Sequence, residues 1–416
     1  MERIITHMNE LKMKAPAQQK IIYASNGYEQ LDACLQEQGL KHILLVCGRS
    51  IRFLKINDYF TDLPGRLGIQ VTRFSDYAPN PVYESVEKGI RVYHENGCDG
   101  IVAVGGGSGM DVAKCIKLFA RMDPAVNYLK QEIVENDIPL FAVPTTAGTG
   151  SEATRFAVIY YQGEKQSVSH RSSIPSVVLM DPSVLHSLPE YQRKATMLDA
   201  LCHAVESFWS VNSTPESKIY ARKAIQAVLK EKDAYLANTD EGNKGMLEAA
   251  NIAGKAINIT QTTAGHAMCY KLTTLYGISH GHAAALCVRV LWPYMLSQLG
   301  GAFSEALQQE ATSSEASCSS CLKALQPEAS CIDPRGRDYL IQTFGELADA
   351  FGCNTPEEAA EKFASLLEEL GLRAPDQIKE EDYPILVHSV NPVRLKNNPI
   401  ALTEQAIDFL YHEILG

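Results

Sequence analysis

The stretch "VAVGGGSGMDVAK", residues 102–114, decides the fold of the first half of the chain. A short apolar run ends in three glycines, and a helix-like pattern follows them directly. Bare backbone N–H groups and the positive end of the helix dipole then point at one place, where a phosphate fits. The stretch is not a Walker loop, because no GK[ST] follows, and it is not the GxGxxG fingerprint. The candidate phosphate-binding residues are Gly105, Gly106, Gly107, Ser108 and Asp111.

Strand-like and helix-like patterns alternate around this stretch. The apolar runs "HILLVCG", "GIQVTRF", "GIVAVGGG" and "LFAVPTT" are separated by helical stretches such as "VYESVEKGIRVYHENG". This alternation predicts a parallel sheet covered on both faces. We expect "FAVIYY" and "SVVLMDP", which flank a polar stretch, to pair and close this domain.

From about Leu188 the strand patterns stop and long helical patterns follow. The predicted fold is therefore an α/β dinucleotide-binding domain with a parallel sheet, residues 1–187, followed by an all-α metal-binding and catalytic domain, residues 188–416. Weak periodicity predicts a loop-rich insertion from about Ala311 to Arg337.

A second glycine-rich stretch, "PTTAGTGSEATR" at residues 144–155, combines glycines with hydroxyl groups that can line a polar ligand. Either glycine-rich stretch alone is equally well explained as a tight turn. Together, near the carboxyl ends of predicted strands, they favour a dinucleotide bound across the sheet. The hydroxyl candidates are Thr145, Thr146, Thr149 and Ser151.

Four residues of the helical half favour a metal site. Asp199 and His203 in "MLDALCHAVES" are four positions apart, so on a helix both side chains lie on one face. Such a pair is often a surface pair or a helix hydrogen bond, but its apolar surroundings and two later histidines, His266 and His280, favour ligation. One carboxylate and three imidazoles suit Fe(II) or Zn(II). His282 is an alternative to His280 as a metal ligand. It ranks lower because Gly281 and His282 have the pattern of a turn that follows the ligand.

Composition excludes several classes of protein. The 416 residues carry a formal net charge of -11, which disfavours nucleic acid and anionic membranes as partners. No apolar run approaches the roughly 18 residues that cross a bilayer, and the polar start lacks a signal-peptide core. Scattered cysteines in apolar segments predict a reducing, cytoplasmic location. The lone CxxC, Cys318 and Cys321, has no second pair and is interpreted as surface residues rather than a zinc site.

The motifs "GGGSGMDVAK", "PTTAGTGSEAT", "LDALCHAVES" and "GHAMCYKLTTLYGISHG" resemble, in order and spacing, those of the iron-dependent (group III) alcohol dehydrogenases over about residues 20–415. The resemblance implies NAD(P)H and one divalent metal, Fe²⁺ or Zn²⁺, in a cleft, and a homodimer is the default assembly. It implies a pyrophosphate loop at 105–108, with the hydroxyl candidates along the cofactor. The implied metal ligands are Asp199, His203, His266 and His280.

Tyr270 departs from the family pattern, since many members have a second histidine at this position. On a helix Tyr270 shares a face with His266, so it is either a catalytic residue facing the metal cleft or a packed core residue. Bound water, Tyr270 or the cofactor ribose could supply the proton to the alkoxide.

The residues of the last motif and of the later "NPVRLKNNP" resemble the corresponding motifs of the phosphonoacetaldehyde reductases. The expected reaction is reduction of a small anionic aldehyde, phosphonoacetaldehyde to 2-hydroxyethylphosphonate. Sulfoacetaldehyde reduction and general primary alcohol dehydrogenation are the alternatives. A dehydroquinate-synthase-like lyase should demand a larger basic pocket, and a non-catalytic scaffold would not need both the cofactor loops and the ligands.

Two further expectations concern charge. Gly48 and Arg49 stand where an NAD-selective member would have an aspartate, so NADPH is expected to be accepted, unless Arg49 is only a solvated loop residue. For the anionic head of the substrate, Arg155 is the first candidate, although it could instead pair with an acidic residue at the domain boundary. Lys271 is weaker because it points away from the ligand face of its helix. Arg394 and Lys396 qualify if the C-terminal segment folds back over the cleft.

Overall fold

A parallel sheet of six strands organises the first part of the molecule. The computed structural model describes residues 19–24, 27–300 and 331–416. Within these residues the strand order of the sheet is β1-β8-β5-β4-β2-β3, and every neighbouring pair is parallel. The strands are β1 (Lys20–Tyr23), β2 (His42–Cys47), β3 (Gln70–Phe74), β4 (Gly100–Gly105), β5 (Leu140–Pro144) and β8 (Val177–Met180).

Helices connect these strands, as parallel strands require. The central strands β4 and β5 are buried along almost their whole length, which explains their continuous Val, Ile, Leu and Ala content. Most of the connecting helices are amphipathic and turn an apolar stripe toward the core, whereas Gly107–Phe119 is buried on nearly all sides. They are α1 (Glu29–Glu37), α2 (Ile56–Leu67), α3 (Tyr83–Glu95) and α4 (Gly107–Phe119). The predicted α/β fold with a parallel sheet is confirmed.

The expected pairing of "FAVIYY" with "SVVLMDP" is wrong. Strand β6 (Phe156–Tyr161) pairs antiparallel with β7 (Glu164–Ser169), and "VVLM" is the buried strand β8 of the main sheet. Gln162 and Gly163 make the β6–β7 turn with positive φ angles of 53° and 81°. The mostly polar sequence of β7 did not predict a strand, because a half-exposed hairpin strand needs few apolar residues.

The strand order places a crevice at the carboxyl ends of β2 and β4. From β2 the chain moves outward to β3, and it then returns to the other side of β2 to form β4. Loops leaving β2 and β4 therefore diverge, which is the position where open α/β sheets bind ligands. Gly48 follows β2, and the glycines of residues 105–107 join the end of β4 to the start of α4.

The second part of the described chain is helical, as predicted. Helix α5 is buried along most of its length and packs against α6, α7 and α9. Because nearly all its faces are covered, its sequence shows little amphipathic periodicity. The helices are α5 (Glu190–Trp209), α6 (Pro215–Leu236), α7 (Asp240–Thr260), α8 (Ala264–Tyr276), α9 (His280–Gln298), α10 (Arg337–Phe351), α11 (Pro356–Glu369), α12 (Asp382–Ser389), α13 (Pro392–Leu395) and α14 (Glu404–Leu415).

The predicted CxxC, Cys318 and Cys321, and most of the predicted insertion lie outside the described residues. The domain boundary at 187/188 stays a prediction. Among the helices of the described residues, none combines the length and the apolar character that a membrane span needs.

Candidate active site

A cleft of about 510 Å³ lies where the α/β part meets the helical part. Its walls come from the start of α4, the loop after β5, the β6–β7 hairpin, and helices α5, α8 and α13. The residues that line it include Ser108, Lys165, Asp199, His266, Tyr270 and Arg394.

Three imidazoles converge on one carboxylate oxygen in this cleft. The Oδ1 atom of Asp199 lies 4.0 Å from Nε2 of His203, 3.5 Å from Nε2 of His266 and 4.0 Å from Nε2 of His280. One ligand atom each from Asp199, His266 and His280 lie within 4.8 Å of one another. His203 stands outside this tightest group, but its ring stacks on that of His266 with centroids 4.5 Å apart.

Close helix packing brings His280 to the other candidate ligands. Asp199 and His203 share one face of α5, while His280 begins α9. Gly281 permits the contact, because a Cβ atom there would lie 2.6 Å from the Cβ of Asp199. Gly281 and His282 therefore belong to the first turn of α9, and the expectation that they form a turn after the ligand is wrong.

Asp199 is held as a carboxylate and His280 as a neutral imidazole. Burial raises the pKa of Asp199, but the neighbouring histidines outweigh it and hold that pKa well below its usual value. Burial lowers the pKa of His280 to about 3, which keeps its ring neutral with a free lone pair. Burial lowers the pKa of His266, but Glu206 and Asp199 outweigh it and raise that pKa to about 9, so a metal would have to displace the Nε2 proton. The buried atoms Asp199 Oδ1 and His266 Nε2 have no hydrogen-bond partner among the described residues. Such unpartnered polar atoms are costly unless a ligand satisfies them, and this donor set fits one divalent metal.

Glu206 is a buried carboxylate beside the candidate ligands that sequence reasoning missed. It is fully buried on α5, and its Oε2 accepts a hydrogen bond from Nδ1 of His266. Its Oε1 accepts from the hydroxyl of Thr263 at 2.7 Å and from the backbone N–H of His266 at 3.2 Å. A carboxylate behind a histidine fixes the tautomer and leaves Nε2 free to bind a metal. Its position three residues after His203, inside a buried helix, is the only local signal.

His282 does not join the ligand group. Its Nδ1 lies 3.1 Å from the hydroxyl of Tyr191, which also accepts a hydrogen bond from the backbone N–H of Ser279. These contacts tie the start of α9 to that of α5.

The glycine loop lies at the crevice between β2 and β4. A Cβ atom on Gly106 would lie 3.1 Å from Oγ1 of Thr146, and one on Gly107 would lie 3.1 Å from Cγ2 of Thr149. Thr146 and Thr149 thus pack against the loop, and there is little room for a side chain at either glycine. This cradle fits a pyrophosphate at the start of α4. Ser108 and Thr149 line the cleft, and the backbone N–H of Thr145 bonds to the carbonyl of Gly105 at 3.1 Å.

Tyr77 also belongs to this crevice and was missed. Its hydroxyl would lie 3.9 Å from a Cβ on Gly48, 3.8 Å from one on Gly105 and 2.8 Å from one on Gly109. Arg49, exposed, opens the short 3-10 helix Arg49–Phe53 after β2.

Asp111 and Ser151 hold the second loop in place. Asp111 accepts hydrogen bonds from the hydroxyl of Ser151 at 3.1 Å and the backbone N–H of Val158 at 3.1 Å. The fully buried ammonium of Lys114 donates to backbone and side-chain oxygens of Ser151 and Thr154 at 2.6 to 3.1 Å. Both carboxylate oxygens of Asp111 therefore accept hydrogen bonds from the protein itself, which gives Asp111 a positioning role.

Two cations meet on the ring of Tyr270. The Nζ atom of Lys165 lies 3.1 Å from the ring centroid, and the guanidinium of Arg394 donates to the Tyr270 hydroxyl at 3.1 Å. The ring of Tyr270 in turn stacks on that of His280, with centroids 5.4 Å apart and an angle of 18°. The C-terminal segment thus folds back over the cleft, the condition stated for Arg394. Lys165 on β7 was not predicted.

Of the other predicted anion-binding residues, Arg155 lies in the cleft and Lys271 lies outside it. Arg155 lines the cleft, but its guanidinium packs on the ring of Phe156 at 4.8 Å. The alternative of a salt bridge from Arg155 is not seen among the described residues. Lys271 faces a separate shallow depression with Ile385 and His388, outside the cleft. It follows Tyr270 on α8, so the helix turns it away from the ligands.

Two family models match the chain: "Iron-containing alcohol dehydrogenase" over residues 18–182 and the C-terminal model of the Fe-containing alcohol dehydrogenase family over residues 194–333. Long-chain-alcohol dehydrogenase 1 of Geobacillus thermodenitrificans is 31% identical over 66% of this chain and 71% of its own length. Phosphonoacetaldehyde reductase of Streptomyces viridochromogenes is 29% identical over 76% of each chain. Aldehyde-alcohol dehydrogenase 2 of Entamoeba histolytica is 31% identical over 80% of this chain, but the match spans only 37% of that protein's own length.

A solved structure shares the whole fold. Sulfoacetaldehyde reductase from Bifidobacterium kashiwanohense, solved in complex with NAD⁺, superimposes with a TM-score of 0.79 over 97% of this chain and 99% of that chain, at 24% identity. The motifs, the parallel sheet followed by helices, and the matched family models agree. The chain belongs to the iron-containing alcohol dehydrogenase family of oxidoreductases.

Proposed function

We propose that this protein uses NAD(P)H and one divalent metal to reduce a small anionic aldehyde, foremost phosphonoacetaldehyde to 2-hydroxyethylphosphonate. The observation that carries the proposal is the charge of the cleft. Lys165 and Arg394 line it beside the metal-ligand group, and neither has a carboxylate partner among the described residues. An uncharged alcohol would leave both cations uncompensated in a partly buried site.

The ligand group fits Fe²⁺ or Zn²⁺, held by Asp199, His203, His266 and His280. When bound, the metal supplies a Lewis acid for the aldehyde oxygen, and the reduced nicotinamide supplies the hydride. Overall, one aldehyde, one reduced nicotinamide and one proton give one primary alcohol and one oxidised nicotinamide.

The chain's own residues orient this chemistry. The carboxylate of Glu206 holds the ring of His266, and the glycine loop at 105–108 receives the cofactor pyrophosphate. Thr145, Thr146, Thr149 and Ser151 form the adjoining loop. Arg49, next to Gly48 and with no acidic residue beside it, favours acceptance of the 2′-phosphate of NADPH.

Sulfoacetaldehyde is the second candidate substrate, because the same cations would hold a sulfonate. Both relatives named for these aldehydes match most of the chain. We further propose that the enzyme is cytoplasmic, which the free cysteines of the described residues support. We also propose that it is a homodimer, on which the cysteines have no bearing.

Steady-state kinetics test the proposed function. The metal-loaded enzyme is mixed with NADPH or NADH and with phosphonoacetaldehyde, sulfoacetaldehyde or propanal, and nicotinamide absorbance is followed. We expect kcat/KM for at least one anionic aldehyde to exceed that for propanal. Equal or greater efficiency with propanal would contradict an anionic substrate.

A further inference from the structure

We propose that Lys165, Tyr270 and Arg394 form one binding site for the anionic head of the substrate. This inference rests on the proposed function and names the residues that select the substrate. It replaces Arg155, the first candidate from the sequence, with a lysine contributed by the β6–β7 hairpin.

The ammonium of Lys165 has N–H donors that are available to a ligand. It lies against the face of the Tyr270 ring at 3.1 Å, and it makes no hydrogen bond or ion pair within the described residues. A lysine carries three N–H donors, so a cation–π contact leaves them available to a ligand. Asp111, which also lines the cleft, accepts hydrogen bonds from Ser151 and Val158. Burial, together with Arg394, lowers the pKa of Lys165 to about 7, while Cys269 and Asp111 act in the opposite direction.

The hydroxyl of Tyr270 is also an available donor. A guanidinium has no acceptor, so in the 3.1 Å contact Arg394 donates and Tyr270 accepts. The hydrogen of the Tyr270 hydroxyl then remains free for an acceptor in the cleft. Burial raises the pKa of Tyr270, so the hydroxyl keeps this hydrogen at neutral pH.

These three donors meet next to the metal ligands. Tyr270 stacks on His280 and follows His266 by one helical turn. A two-carbon aldehyde separates its anionic head from its carbonyl by only a few ångströms, so one substrate can contact the donors and the ligand group together. Ammonium, phenol and guanidinium donors match the several oxygens of a tetrahedral phosphonate or sulfonate.

Arg155 lacks these relationships. Its guanidinium packs on Phe156, and within the described residues no hydrogen bond, ion pair or ring contact joins it to Tyr270 or to a candidate metal ligand. The assignment also gives Tyr270 a binding role, so the proton for the alcohol oxygen must come from bound water or the cofactor ribose.

The test compares Lys165→Met, Arg394→Met and Tyr270→Phe with the wild type, with Lys230→Met as a control that removes a charge from an exposed helix surface. The first readout is the ratio of kcat/KM for sulfoacetaldehyde to that for propanal. The second is the Kd of ethylphosphonate, measured by calorimetry on the metal-loaded enzyme with NADP⁺. Ethylphosphonate has the anionic head and no carbonyl, so its binding does not depend on turnover.

We expect Lys165→Met and Arg394→Met each to lower the ratio and raise the Kd by about 10- to 100-fold, the loss of one charge-assisted hydrogen bond. Lys165→Arg should recover most of both values, because it restores the charge on the same strand. Lys230→Met should match the wild type.

Three results would overturn the inference. The first is a wild type that does not bind ethylphosphonate. The second is that the kcat/KM ratio and the Kd of the Lys165 and Arg394 variants differ from those of the wild type no more than those of Lys230→Met do. The third is a Tyr270→Phe protein whose kcat falls equally for both aldehydes. The last result would assign Tyr270 to proton donation. A wild type that binds ethylphosphonate through Lys165 but reduces no aldehyde would support the anion site and contradict the proposed reaction.

Discussion

Nδ1 of His266 donates a hydrogen bond to the buried carboxylate of Glu206, while Nε2 of the same ring points at Oδ1 of Asp199, 3.5 Å away. The first contact keeps the hydrogen on Nδ1, and the second places Nε2 at the candidate metal site, where a metal would displace its proton. The strength of metal binding therefore depends on a residue that does not touch the metal.

Replacing Glu206 by Gln should weaken metal binding by about 10- to 100-fold, the range measured for partners behind metal ligands. The neutral amide holds the ring less firmly and makes His266 a weaker base. Competition with a coloured chelator gives the metal Kd, and circular dichroism checks the fold. Glu231→Gln, on the outer helix α6, is the control, and equal metal affinity in both variants would count against this role for Glu206.

Replacing His280 by Ala should remove most bound metal and turnover while the fold stays intact, because α9 is held by its buried apolar face rather than by this ring. Metal analysis of the purified protein and its thermal melting curve give both answers. His282→Ala tests the choice between the two histidines, since His282 contacts Tyr191 and lies outside the ligand group. Loss of metal from His282→Ala but not from His280→Ala would reverse the assignment.

Arg49→Ala should reduce the preference for NADPH over NADH. The guanidinium follows β2 at the crevice where the adenosine end of a dinucleotide is expected, and it can bind a 2′-phosphate with two hydrogen bonds. The ratio of kcat/KM for the two cofactors should fall by about 10-fold, equivalent to about 1.4 kcal/mol. If the wild type strongly prefers NADH, the assignment of Arg49 fails.

The efficiency of sulfoacetaldehyde reduction should fall as the pH rises from about 6 to about 8. Lys165 has a pKa of about 7, lowered by burial and by Arg394, so its charge is present on the acid side and lost on the alkaline side. Asp111 acts in the opposite direction, and Cys269 and Tyr270 also face the ammonium. Sulfoacetaldehyde is the better probe because a sulfonate does not titrate in this range.

The Lys165→Arg variant supplies the control for this pH profile. Arginine stays charged across the range, so the decrease near pH 7 should disappear. A profile that keeps the same decrease would assign it to another group.

The sequence allowed the sheet and the metal-ligand candidates to be predicted for local reasons. Buried parallel strands are continuous apolar runs, and Asp199 and His203 are helical neighbours whatever the tertiary structure. Lys165 could not be found this way. It lies in the polar stretch "EKQSVS", and only the packing of the β6–β7 hairpin beside α8 brings its ammonium to Tyr270.

Long-range contacts also explain the other residues that were missed. Glu206 has its role because α8 places His266 beside α5, which no local pattern encodes. Tyr77 reaches the glycine loop because β3 and β4 flank β2 in the sheet. Arg394 could be predicted only conditionally, since its role depends on a segment more than a hundred residues further along the chain returning to the cleft.

The most direct test of the account is the ratio of kcat/KM for phosphonoacetaldehyde to that for propanal, measured with NADPH on the metal-loaded wild type and on Lys165→Met. We predict that the wild type favours phosphonoacetaldehyde and that Lys165→Met lowers the ratio by about 10- to 100-fold. A wild-type ratio at or below one, left unchanged by Lys165→Met, would contradict the account.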